Sequence, residues 1–179
     1  MTEYPQGEHP DHWLPNPAEA THRFILGRAP QSGGKPLVVV AMNPSHASDL
    51  KSDRTVNRVV DASIGLGYDG WTMLNVYPER SSTPKALGAF DPRLSSENAQ
   101  AIVDYLRASQ TTEVWGAWGD LSHRNLVLGQ VDVICALKTL GVGVFTFGSL
   151  TVNGQPRHPS PPGNALDWRL PKSYWLESA

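Results

Sequence analysis

Four polar loops carry most of the groups able to do chemistry in this 179-residue chain. They begin NPSHASDLKSDR, NVYPERSS, WGDLSHRN and GQPRHPSPPGN, and each follows an apolar run. The first offers Asn43, Ser45, His46, Asp49 and Asp53; the second offers Asn75, Tyr77 and Arg80. The third offers Trp118, Asp120 and His123, and the fourth Arg157, His158 and Ser160. Asn43, Asn75 and His158 lead the set. Two carboxamides and an imidazole supply directional donors and acceptors, suited to a planar heterocycle with carbonyl and imide edges. Each also has a structural explanation. Asn-Pro is a common strand exit, because asparagine caps its own turn and proline fixes the backbone. A buried Asn75 needs partners, and backbone groups can provide them. His158, between Arg157 and Pro159, suits a solvent-exposed loop equally well.

Such loops need a frame that gathers them. The segment HRFILGR, the turn PQSGGKP and the β-branched run LVVVAM predict a hairpin-like entry into a buried central strand. Val56, Val59, Val60 and Ile64 recur at helical spacing before Gly65 and Gly67. WTMLNVY is a strand, and Ser95–Ala108 a helix with Ser95 or Ser96 as N-cap and Ile102, Val103 and Leu106 inward. EVWGAW is the next strand, 121–140 a helical stretch broken near Gly129, and VGVFTF the last strand. The tail ALDWRLPKSYWLESA has no period and reads as packing anchored by Trp168 and Trp175. Strands alternating with helices predict an α/β fold. We expect a three-layer sandwich around a central, mainly parallel four-stranded sheet, plus an N-terminal hairpin strand. Residues 1–20 read as an irregular arm and 21–179 as one domain. In such sheets ligands bind beyond the carboxyl ends of the strands, where these loops lie.

Composition narrows the function. Hydrophobic residues make up 40% and charged ones 18%, with a formal charge of -2. That balance argues against a basic protein that coats DNA irrespective of sequence. Cys135 stands alone within an apolar run, which excludes an intrachain disulfide and reads as a small core residue. His9 and His12 lack further ligands, so no metal site is expected. Glycine-rich dinucleotide, Walker A, zinc-protease and nucleophile-elbow motifs are all missing, and no cofactor is expected. No signal pattern or membrane-length apolar run occurs, so the expected location is the cytoplasm.

The succession VVVAMNPSH, WTMLNVYPERS, EVWGAWGDLSH and PRHPSPPG is similar to the motif order of the uracil-DNA glycosylase superfamily. Its members leave the first strand with G-x-[DN]-P and carry an asparagine in an L-N strand. They have an L-W-G-like third strand and end the fourth with H-P-S-P. The likeness runs from about Leu37 to Gly163, and its most specific element is the H-P-S-P within Pro156–Pro161. The chain more closely resembles a family of small bacterial and phage proteins described as a domain of unknown function. That family's N-P-S, D-x-T-x-x-R, N-x-[FY]-x-x-R and G-x-P-R-H-P stretches are here Asn43–Ser45, Asp53–Arg58, Asn75–Arg80 and Gly154–Pro159.

The glycosylase resemblance implies a fold of that type and an enzyme acting on an N-glycosidic bond. Its partner would be a nucleotide, or a single-stranded or modified nucleic acid. Asn43 would hold the attacking water, Asn75 read the base edge, and His158 donate to the base oxygen that gains charge. Phosphate contacts would come from Ser45, Ser160, Arg157 or nearby backbone amides. From the strand-end loops themselves, Asp53, Arg80 and a stacking face on Trp118, late on its strand, complete the substrate set. Three departures shape this reading. Ala41 and Met42 replace the usual floor of the first motif, and Ser45 replaces the tyrosine that excludes thymine. Pro162 and Gly163 stand where a wedge leucine normally follows, with Leu166 the nearest substitute. Two alternatives stay open: a non-catalytic nucleotide or nucleic-acid binding module, favoured by the missing first-motif carboxylate, and a base-modifying transferase using Asp49 and Asp53.

Overall fold

A computed structural model describes residues 2–15, 21–161, 163 and 165–178. In chain order the elements are β1 (His12–Leu14), β2 (Ile25–Arg28), β3 (Leu37–Ala41), α1 (Arg54–Gly65), β4 (Trp71–Asn75) and α2 (Pro92–Ala108). There follow β5 (Glu113–Ala117), α3 (Arg124–Leu140), β6 (Gly143–Phe147) and β7 (Lys172–Leu176). The fold is mixed α/β, with one sheet in the order β1-β2-β4-β3-β5-β6-β7. The expected four-stranded sheet is therefore seven-stranded. Neighbours among β4, β3, β5 and β6 run parallel, while β1, β2 and β7 form antiparallel edges.

Side-chain alternation along β3 explains the layers. Val38 and Val40 pack with Ile102 and Leu106 of α2 and Val133 and Leu137 of α3. Leu37, Val39 and Ala41 face the other way, against Val56, Val59 and Val60 of α1. A strand covered on both faces has no use for polar alternation, hence its continuous β-branched run.

Several local expectations are revised. β2 forms no hairpin with β3; it pairs antiparallel with β4, Leu26 opposite Met73. Both edges of β3 are already occupied by β4 and β5, so the free edge of β4 receives β2. The N-terminal arm supplies β1, and Tyr4 anchors it by stacking on Trp71 and donating to the Ser48 carbonyl at 2.6 Å. The tail supplies β7, whose partner is β6. α2 begins three residues early, at Pro92, with Asp91 as the N-cap that accepts from Arg93 and Leu94 N–H. Ile64 is exposed. α3 is unbroken at Gly129, which lies in its buried stripe with Leu126, Val133 and Leu137. Cys135, two positions past Val133, points away from that stripe and is exposed, not core. Among the described residues no helix is long and apolar enough to cross a membrane.

Candidate functional site

Parallel pairing carries the ends of β3, β4 and β5 to one edge of the sheet, with Ala41 beside both Asn75 and Ala117. β4 lies on one side of β3 and β5 on the other, the kind of switch point where open α/β sheets bind ligands. A cavity of about 40 Å³ opens there. Its walls include Asn43, Ser45 and Asp53 from the β3–α1 loop, Asn75, His158 and Arg23. Ligand pockets usually measure about 300–1,000 Å³, so this one takes a small group or a few waters unless its walls move.

Asn75 is 2% exposed, and its side-chain Nδ2 has no acceptor among the described residues. Its backbone carbonyl accepts from Nδ2 of Asn98 on α2 at 2.9 Å, so the strand end is held while the side-chain amide stays unmet. Backbone groups thus do not satisfy this amide. An unmet buried donor costs about 1–3 kcal/mol. Trp71, Trp115 and Thr146 also carry unmet buried donors on strands, but of these strand residues only Asn75 lines the cavity.

Asn43 ties two strand exits together. Its Nδ2 donates to the carbonyls of Ser81 at 2.9 Å and Pro44 at 3.1 Å. Its Oδ1 accepts from no donor among the described residues, which leaves one oxygen for water or ligand.

His158 receives a hydrogen bond on Nδ1 from the Ser160 backbone N–H at 3.1 Å. Nδ1 is therefore the unprotonated nitrogen, and the ring hydrogen is assigned to Nε2. Burial holds the imidazole below the ordinary value of 6.5, with the Asp53 carboxylate pulling the other way. At neutral pH His158 is a neutral donor. Gly119, at φ +67°, seats it: a Cβ there would come within 3.1 Å of the His158 Cβ. The Gly119 N–H also donates to the Pro156 carbonyl at 2.9 Å, so the β5 exit holds the loop.

This histidine sets a sign for acid sensitivity. The unfolded chain takes up its proton first as pH falls through 6.5, so the folded state loses stability there. Urea midpoints for His158→Gln are expected to fall less between pH about 7 and about 5 than those of the parent. Parallel curves would contradict the neutral assignment.

Arg23, which motif reading passes over, is the second group in the cavity wall with an unmet buried donor. It is 4% exposed and its Nε has no partner among the described residues. Its backbone N–H donates to the Pro78 carbonyl at 2.8 Å, because antiparallel β2 starts where β4 ends. One terminal amino group donates to the Ala47 carbonyl. Burial, reinforced by the Arg80 charge, pushes its pKa down to about 10, so it remains a cation at neutral pH. Its only sequence signal is an arginine abutting the apolar FILG.

The other candidates divide. Ser45 and Asp53 line the cavity. Asp53 is also the N-cap of α1, one oxygen accepting from the Thr55 and Val56 N–H groups at 2.9 Å each. Arg80, Arg157 and Ser160 do not line it. Arg80 donates to the Ser45 and Ala47 carbonyls, Arg157 to the Ser149 carbonyl, and Ser160 Oγ to the Arg54 carbonyl. Trp118 offers no stacking face: it is fully buried edge-on to Trp175, and its Nε1 donates to Gln155. His123 caps α3, Asp120 accepts from Thr151, and His46 is exposed. Pro162, expected where a wedge leucine would stand, lies outside the described residues.

A larger groove of about 680 Å³, on the α2–α3 surface, includes Cys135 but none of these candidates. Among the described residues no cluster of three His, Cys, Asp or Glu could hold a metal ion. No curated protein and no solved structure matches the chain. The family model described as "protein of unknown function (DUF1643)" matches residues 23–160, from Arg23 to Ser160. That span includes every wall of the cavity, and the chain belongs to the DUF1643 family.

Proposed function

We propose that this protein is a glycosylase-like enzyme that releases a base, modified or not, from a nucleotide or single-stranded nucleic acid. The observation that carries the reading is the unmet Asn75 amide, buried in the cavity that Asn43 and His158 share. The resemblance to uracil-DNA glycosylases, down to H-P-S-P, gives these residues their roles. Breaking the C1′–N bond leaves its electron pair on the base and an oxocarbenium-like sugar. A neutral His158 Nε2–H and the Asn75 amide are donors for the base oxygen that gains charge. Water then adds to C1′. Asn43 Oδ1 can orient that water but cannot take its proton, which passes to the departing anionic base or to solvent, so rate depends on electrostatics more than on base catalysis.

Leu166 favours an unpaired substrate. Its backbone N–H donates to the Pro159 carbonyl, and its side chain packs on the α1 side of the core instead of projecting as a wedge. Unstacking a base is least costly in a single strand or free nucleotide. The binding-module alternative keeps one observation in its favour, the absence of a carboxylate at Asn43. The transferase alternative has only one of its two carboxylates, Asp53, at the cavity.

Single- and double-stranded oligonucleotides bearing uracil, hydroxymethyluracil, hypoxanthine or mismatches decide the matter. Abasic sites are expected with single strands and should disappear with Asn43→Ala and His158→Ala. Binding without abasic sites selects the module, and the absence of both binding and abasic sites overturns the analogy.

A further inference from the structure

The walls of the cavity are unbalanced in a specific way. Both of its fully buried, unmet side-chain atoms are N–H donors, Arg23 Nε and Asn75 Nδ2. His158 adds a third donor through the tautomer that Ser160 imposes. Acceptors are present beside them: Asn43 Oδ1 and the Asp53 oxygen that is not spent on the α1 cap. Among the described residues no carboxylate forms an ion pair with Arg23; the ion pairs found involve Arg28, Arg93, Arg169, Lys172 and His12.

A purely architectural role for Arg23 does not account for this. The loop carbonyl it holds, that of Ala47, also accepts from Arg80, which reaches Ser45 as well. Arg80 already clamps the loop, and its charge beside Arg23 makes a second buried cation less favourable. Buried charges are ordinarily paired. Arg23 instead keeps one edge of its guanidinium unmet at a cavity. The Asp53 carboxylate in the same wall offsets part of the Arg23 charge without forming an ion pair. A neutral ligand would satisfy only the hydrogen bond, whereas an anion would meet it and offset the charge further.

We infer that the cavity is an oxyanion-binding site whose charge is Arg23 and whose occupant is a phosphate or carboxylate group. The volume of about 40 Å³ admits one such group. Arg23 Nε supplies the donor and the guanidinium the charge, while Asn75 and His158 keep the base-facing roles of the proposed reaction. The site coincides with that of the proposed reaction, but the inference does not rest on glycosidic chemistry. A protein that never releases a base can still hold an oxyanion here.

The test uses the full chain labelled with nitrogen-15 and follows the arginine Nε–H resonance lost in Arg23→Lys. Titrants are inorganic phosphate, acetate, deoxyuridine and deoxyuridine 5′-monophosphate. Inorganic phosphate and the monophosphate are expected to shift the resonance saturably, and deoxyuridine to leave it in place. Acetate acting where phosphate does not would assign the carboxylate as occupant. Affinity should drop roughly 30-fold or more in Arg23→Gln. If that variant fails to fold, the parent's resonance still decides. No shift with any anion, or an equal shift with deoxyuridine, overturns the inference. Abasic-site formation is scored separately, so either result stands without the other.

Discussion

Asn75→Leu is expected to abolish base release, by roughly 100-fold or more, while leaving the fold equally stable or about 1 kcal/mol more stable. The two halves of this outcome come from one observation. The Asn75 side chain is 2% exposed and donates to nothing, so folding removes its amide from water without compensation. Leucine is of similar size and has no polar group to desolvate. An asparagine that served architecture would behave in the opposite sense, its loss costing about 1–3 kcal/mol. Urea unfolding and single-turnover base release on the same preparations separate the cases. Loss of stability by 2 kcal/mol or more, on the same scale, would return Asn75 to the structural explanation. The main chain should not move, because Asn98 grips the carbonyl of residue 75 and not its side chain.

Gly129→Ala should be the most damaging single-methyl change on α3. Glycine within a helix is ordinarily unfavourable by about 1 kcal/mol relative to alanine, so propensity alone would predict a gain. Sterics point the other way. A Cβ at 129 would lie 2.3 Å from the Val76 carbonyl oxygen and 3.2 Å from Tyr77 Cβ. The obstructing atom is backbone and cannot rotate aside. Overpacking costs about 1–3 kcal/mol and sometimes more, so a net loss of roughly 2 kcal/mol is expected in urea unfolding. Because Val76 follows Asn75 directly, the same change should weaken ligand binding at a distance. Unchanged stability would mean that α3 can slide on β4.

The elements were largely readable from the residues in order. Continuous β-branched runs and amphipathic repeats locate the four parallel strands and three helices to within a few residues. Once those strands are parallel, their ends share one edge, and Asn43 and Asn75 follow from local sequence plus topology. His158 adds to them through its loop, and the three meet at one cavity.

Partner choice was not readable, since it depends on which strand edges remain free after the centre is built. β2 takes β4 because β5 occupies the other edge of β3, and this brings Arg23 to the cavity. β1 and β7 are short edge strands whose segments carry little period of their own; pairing alone orders them. β7 in turn carries Trp175 onto Trp118, removing the stacking face that strand position had promised. Close approach was equally hidden: nothing near Gly129 in the chain announces the Val76 carbonyl. The exposure of Cys135 could have been found by phasing α3 on Leu126, Val133 and Leu137 instead of reading one apolar run. The strand-end location of Asn43, Asn75 and His158 is thus a property of local pattern. The charge beside them, and which of their hydrogen bonds stay unmet, arise from contacts between segments far apart in the chain.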